Sequence, residues 1–383
     1  MFTRPADSFF LRSMRGRSAP LLLLAVVTLV GCGGRHVTVE RAPDPAGDGV
    51  AATEVREAFV TALDPAANID SIALWLSPDN RTWLIATAKD SAQLVVFDAD
   101  TGVELRRVGG PGNGLGSFAR PNGIAVFGDA LFVAERDNGR VQVLLLPEFE
   151  PLGSFGEGQL TTPYGLWVRE TAPLELEVFV TDSYQNPDGS PPPLDALDRR
   201  IKIFRVALGD FFGVADGIDA RLERAFGSTD PAGAVRWIES IVGDEFNDRL
   251  LIPEEYIAQA PGALRVYRID GSFTGSNIGS GLFGGQPEGL ALYACADGSG
   301  YWIAADQQTE GNRFHVFGRD RLDYLGSFSG AQVRFTDGVA LSALASERFP
   351  AGAFYAVHQD SGVVAFDWRD IAAALNLRER CPD

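Results

Sequence analysis

Acidic residues recur at the openings of apolar strands and at hairpin tips in this chain: Asp70, Glu239, Asp244, Glu254, Glu255, Glu288, Asp306 and Asp337. Carboxylates brought together form a hard-oxygen site for a divalent cation such as Ca2+. Aspartate also caps hairpins, so each of these residues taken singly reads first as turn chemistry. For Glu239, Glu288 and Asp337 the ligand reading takes precedence. Each sits beside the innermost strand of a late unit, and Glu288 and Asp337 directly precede glycine. Other chemistries lack their parts. His36, His315 and His358 are not spaced as a metal pair, and His315 alternates within a strand as a structural residue would. There is no Gly-x-Ser-x-Gly elbow, no phosphate-cradling glycine loop before a helix and no paired-cysteine zinc pattern.

Carboxylates so far apart in sequence can converge only if the strands that carry them are arranged in a ring. The chain repeats such a unit. Pro121-Asn-Gly-Ile-Ala-Val, Pro163-Tyr-Gly-Leu-Trp-Val and Pro287-Glu-Gly-Leu-Ala-Leu each open an alternating strand. A second apolar strand, a polar turn and further strands follow, as in Leu131-Phe-Val-Ala and Arg140-Val-Gln-Val-Leu. Four short strands at a period of about 40 to 60 residues is the pattern of a β-propeller blade. Six such sets, starting near Ile72, Gly123, Gly165, Ile238, Gly289 and Gly338, predict an all-β, six-bladed propeller over residues 54–383. Residues 54–62 read as one more strand, able to pair with the last blade and close the ring. Insertions are expected at Gln185–Arg199 and Gly209–Ala220, the latter with a helical turn, and a short helix from Asp370.

The formal net charge is −18, and the first 31 residues, with four arginines and one aspartate, leave −21 for the remainder. That balance argues against nucleic acid and anionic membrane surfaces as partners, and suits divalent cations. Residues 1–31 read as an export signal: Arg12, Arg15 and Arg17 precede the apolar run Leu21–Val30, too short to span a bilayer. The run ends in Leu29-Val-Gly-Cys32, which resembles a bacterial lipobox. Cys32 is therefore the expected lipidation site, residues 32–53 a flexible tether, and the destination the cell envelope, on the outer membrane by the residues after the cysteine. Membrane contact would then run only through the lipid. Cys295 and Cys381 remain, and an oxidising compartment leaves open whether they pair or stay free.

The late blades resemble the β-propeller phytases. The residues that carry the likeness are Pro287-Glu-Gly-Leu with Ala305-Asp-Gln307, Thr336-Asp-Gly-Val, Asp70-Ser-Ile-Ala with Thr87-Ala-Lys-Asp, and Trp237-Ile-Glu-Ser with Pro253-Glu-Glu255. It spans roughly residues 55 to 375, while residues 105–206 look more like NHL repeats. The resemblance implies a calcium-dependent hydrolase of phosphomonoesters, with phytate or another phosphorylated small molecule as substrate. It implies Asp70, Glu239, Glu254, Glu255, Glu288 and Asp337 as ligands of metal or water. Lys89, Glu239 and Gln307 would be catalytic, Lys89 meeting phosphate and Arg136 adding a second contact. Three positions depart from the family: Ser71 replaces an aspartate, Ser183 a lysine and Gln286 an aspartate. Two other readings compete. One is a non-catalytic NHL-like propeller that binds a protein, glycan or small ligand. The other is a metal-dependent lactonase.

Overall fold

A computed structural model describes residues 50–209, 217–256, 258 and 261–382. Its strands form six sheets, one per blade, each an antiparallel meander from the centre outward. Blade one holds Ile69–Leu76, Thr82–Ala88, Gln93–Asp98 and Glu104–Gly109. Blade two holds Pro121–Phe127, Ala130–Glu135, Arg140–Leu145 and Glu150–Phe155. Blade three runs Pro163–Ala172, Glu175–Asp182, Ile201–Leu208 and Ile218–Phe226. Blade four runs Val242–Asp244, Arg249–Glu254, Ala263–Tyr267 and Phe273–Ile278. Blade five has Gln286–Ala294, Gly300–Gln307, Arg313–Gly318 and Tyr324–Ser329, and blade six Val339–Ser342, Ala353–His358 and Gly362–Asp367. The expected number of blades is the number found.

The alternation of apolar residues puts side chains on both faces of every blade, and both faces are covered by neighbouring blades. One apolar cluster therefore fills each blade–blade interface. Phe314, Phe328, Phe354 and Phe366 pack between blades five and six, with centroids 5.0–6.1 Å apart. At the axis, the glycines that mark the units let blades touch. A Cβ on Gly123 would lie 1.9 Å from the Tyr164 carbonyl oxygen, and one on Gly165 2.2 Å from that of Glu239. The axial cavity these small residues leave has a volume of about 180 Å3, lined by Ser71, Gly123, Gly165, Ser240, Gly289 and Gly338 among others.

The closing strand differs from expectation. Residues 54–62 do not form one strand but a strap across two blades. Thr53–Glu54 adds a parallel fifth strand to blade five, and Phe59–Val60 pairs antiparallel with Gly362–Asp367 as the outer strand of blade six. Between them Glu57 turns inward. Its carboxylate accepts the backbone N–H groups of Ala331 (3.2 Å), Gln332 (2.8 Å) and Val333 (2.9 Å). Removing that acceptor strands three amides at the junction of blades five and six. Glu57→Ala is expected to lose about 1–3 kcal/mol in denaturant unfolding; an unchanged midpoint would mean the strap is held by its ladders alone.

Ile238, the expected start of blade four, precedes a ladder that begins only at Val242. The insertion at Gln185–Arg199 holds a single 3-10 turn, Leu194–Ala196. Most of the second insertion lies outside the described residues, and Ile218–Ala220 already belongs to a strand. The C-terminal helix is Trp368–Leu375, capped by the Asp367 carboxylate at Arg369 N and ended by Asn376 in the left-handed region. Cys295 and Cys381 form a disulfide with Cα atoms 5.3 Å apart, tying the tail to blade five. Cys32 and the signal segment lie outside the described residues.

Candidate metal centre

Strand register assigns each site residue a place. The residue before the axial glycine or serine occupies one equivalent position per blade: Asp70, Asn122, Tyr164, Glu239, Glu288 and Asp337. Beside it, facing residues about two places earlier in the chain than the inner-ring residue, stand Lys89, Arg136, Ser183, Glu255, Gln307 and Gln359. Backbone bonds repeat this geometry. Lys89 N donates to Asn68 O at 2.8 Å, Arg136 N to Arg120 O at 3.1 Å and Ser183 N to Thr162 O at 2.9 Å. The two rings make up one mouth of the channel. Blades four to six and Asp70 make one side of it acidic, and Lys89 and Arg136 bring cations from blades one and two.

In blades four and five three carboxylates meet. One oxygen from each of Glu239, Glu255 and Glu288 lies within 4.8 Å of the others. Oxygens sharing a calcium ion at 2.3–2.6 Å per bond sit up to about 5 Å apart, so the set fits one hard cation. Glu255 and Glu288 are buried, and Glu239 is half-buried. Glu239 accepts from Trp237 Nε1 at 3.3 Å, and its backbone amide donates to Glu255 Oε1 at 3.0 Å. Burial pushes the Glu255 carboxyl well above the usual range, and Glu288 and Glu239 add to this. Glu239 is raised by burial and then by Asp70. Three such groups held together carry an electrostatic cost that a divalent cation would cancel.

Beside this group lies an internal ion pair. Lys89 Nζ is 2.7 Å from Asp70 and 3.5 Å from Asp337. The Tyr164 hydroxyl donates to Asp70 at 3.4 Å, and Gln307 Nε2 donates to Asp337. Burial works against the charge on Lys89, but Asp70, Asp337 and Glu239 together drive its pKa upward. Asp337 is raised well above the carboxylate range by burial, against the pull of Lys89.

These placements divide the expected ligand set. Glu239, Glu255 and Glu288 form the three-carboxylate group, and Asp337 pairs with Lys89 and Gln307 beside it. Glu254 belongs to neither group. Its carboxylate accepts the N–H groups of Arg236 (3.0 Å), Trp237 (3.2 Å) and Tyr256 (3.1 Å) and faces Arg265 at 3.5 Å. Adjacent strand residues point to opposite sides, so Glu254 and Glu255 cannot share the job. The Glu254 position recurs as a carboxylate latch on the loop entering blades two, three and five. Glu135 accepts from Ala119 N, Asp182 from Thr162 N and Asp306 from Gly285 N. Each latch has a cationic or imidazole partner on the third strand: Arg140, Lys202, Arg265 and His315. Asp306 and His315 are thus accounted for as structure. Asp244, at the far end of its strand and paired with Arg249, is bound by Arg319 at 2.7 Å. Tyr164 and Asn122 were not expected. Their signal was the residue between proline and glycine in Pro-Tyr-Gly and Pro-Asn-Gly, the place glutamate holds in Pro287-Glu-Gly.

A family model for the NHL repeat matches residues 118–144, which lie in and just before blade two. No curated protein matches the chain. Among solved structures, a DUF4221-family protein from Bacteroides vulgatus is 11% identical, with a TM-score of 0.46, over 82% of this chain and 97% of that one. The PQQ-bound aldose sugar dehydrogenase of Streptomyces coelicolor is 14% identical, with a TM-score of 0.47, over 83% and 99% of the two chains. A chain of a nidogen/laminin complex is 14% identical, with a TM-score of 0.46, over 75% and 89%. These are likenesses of chain path.

Proposed function

We propose that this chain is a calcium-dependent phosphomonoester hydrolase of β-propeller phytase type, acting at the cell envelope. The observation that carries the reading is the buried group Glu239, Glu255 and Glu288 next to the Asp70–Lys89–Asp337 pair. Calcium bound there would polarise a phosphoryl oxygen and lower the pKa of an attacking water. The protein's own residues do the rest. Glu239, Glu255 and Glu288 supply the anionic oxygens. Trp237 and the Glu239 amide orient two of them. Lys89 balances Asp70 and Asp337, so the mouth is less anionic on the side where a phosphate would enter. Gln307, fixed on Asp337 through its Nε2, has its carbonyl oxygen free of protein partners among the described residues and available to a ligand.

The direct test is release of phosphate from phytate, with calcium and with chelator. Calcium-dependent release that Glu255→Gln reduces by about a hundredfold or more is the expected result. A non-catalytic ligand-binding propeller is the second reading. It is favoured by the NHL match in blade two and by the uncharged residues at Ser183 and Gln286. Calcium binding without any phosphate release would favour it over the first.

A further inference from the structure

Blades two and three bring to the mouth polar groups that the metal reading leaves unused. Asn122 holds the same place in the inner ring as Asp70 and Glu239 and is fully buried. Its backbone carbonyl accepts from Thr87 Oγ1 at 2.6 Å, but neither end of its carboxamide has a protein partner among the described residues. Ser183, in the outer ring of blade three, is 5% exposed, and its hydroxyl is likewise without a partner. The same holds for the hydroxyl of Thr162, whose carbonyl accepts the Ser183 amide. Buried polar groups are nearly always hydrogen-bonded, and each that is not forgoes bonds it would make in water. Three residues of the adjacent blades two and three with buried, unpartnered polar groups point to a ligand that completes them.

The chemistry of the sector defines that ligand. All three side chains are neutral. Neighbouring cations each have a carboxylate partner: Arg120 with Asp90 at 3.2 Å, its Nε alone left without a partner among the described residues, Arg136 with Asp137 at 2.7 Å, and Lys89 with Asp70 and Asp337. A phosphate placed against Asn122 and Ser183 would be desolvated without a counter-charge. An alcohol group, both donor and acceptor, matches a carboxamide and two hydroxyls. We propose that Asn122, Ser183 and Thr162 form an uncharged subsite that reads free hydroxyl groups, so that the preferred substrate is a sparsely phosphorylated polyol and not a fully phosphorylated one. The substrate half of this inference rests on the phosphohydrolase reading above; the hydroxyl-binding half does not.

The experiment is a set of thermal-shift titrations on the full chain. The probes are free inositol, inorganic phosphate with calcium, and inositol monophosphate and hexakisphosphate with calcium. Wild type is compared with Asn122→Leu and Ser183→Ala. The expected result is that the monophosphate binds at least about tenfold more tightly than either inorganic phosphate or the hexakisphosphate. In both variants that preference collapses while the affinity for inorganic phosphate is kept. Unliganded Asn122→Leu should melt no lower than wild type, since an unsatisfied amide has been removed. Three results would each overturn the subsite: an unchanged monophosphate preference in the variants, a preference for the hexakisphosphate, or a clearly lower melting point for Asn122→Leu, which would show the amide satisfied by internal water. If neither calcium nor any phosphate binds, the phosphohydrolase reading fails by itself. Free inositol then decides: binding that the variants lose supports the subsite, and no binding ends it.

Discussion

In a melting experiment calcium is expected to raise the unfolding temperature of the wild-type chain, and Glu288→Gln is expected to abolish most of the rise. The three carboxylates contributed by blades four and five exist as a set only in the folded ring. An ion bound there stabilises the fold by mass action, about 2.7 kcal/mol at a hundred times its dissociation constant. For a domain of this size that is on the order of 4 °C. Removing one of three charged ligands weakens the site by more than its share, because the remaining two no longer enclose the ion. The chelated protein should show a distinctive pH dependence. Glu239, Glu255 and Asp337 all have folded pKa values raised above their unfolded ones, mainly by burial. A raised carboxyl takes up its proton more readily in the folded state, so the chelated fold should gain stability as pH falls from neutral into the mildly acidic range. Calcium competes with protons for the same oxygens, so its stabilising effect should shrink over the same interval. No calcium-dependent shift at any pH from 5.5 to 8 would remove the metal centre.

Lys89→Met is expected to be among the most damaging substitutions in the chain. The ammonium stands 2.7 Å from Asp70 and 3.5 Å from Asp337, with side-chain exposures of 8%, 1% and 16%. Methionine fills similar space but leaves two neighbouring carboxylates without their cation. Breaking a buried ion pair by deleting one partner costs about 3–5 kcal/mol. The loss should be largest at neutral pH and smaller at pH 5.5, where Asp337 can be protonated at lower cost. Denaturant unfolding at the two pH values measures both effects. A loss below about 1 kcal/mol at neutral pH would mean that solvent or a bound cation, not Lys89, balances the pair.

The blades were legible because their signal is local. Pro-x-Gly followed by alternating apolar residues marks the inner strands of blades two, three and five, whose backbones can approach their neighbours, and six recurring strand sets specify a ring. The strap was half legible: an apolar stretch near residue 60 was visible, but its division between two blades depends on Glu57 turning in to three amides far along the chain. At the site, parity was the obstacle. Glu254-Glu255 places one carboxylate on the loop latch and the other in the mouth, and composition does not say which is which. Only the register of the preceding strand, with Val242 opposite Leu251, resolves it. Asn122 and Tyr164 carry no charge to mark them as site residues, although they occupy the same motif position as Glu288. Lys202, which shares with Lys89 the distinction of being a lysine in an arginine-rich chain, proves to be the partner of a latch, Asp182, at 2.5 Å.

The strap also fixes when the site can come into being. Val363 N bonds Thr61 Oγ1 across 302 residues of sequence, and Val333 N bonds Glu57 across 276. Contacts of such separation carry a large loop-closure cost before they repay it, which makes folding slow. Blade six cannot be completed until its outer strand, made first, meets its inner strands, made last. Asp337 from blade six and Asp70 from blade one therefore meet around Lys89 only as the circle closes. A chain that stalls one blade short would present Glu239, Glu255 and Glu288 without the ion pair beside them. Formation of the Asp70–Lys89–Asp337 contact is thus a timestamp of ring closure, and a probe placed there would follow the slowest step of folding.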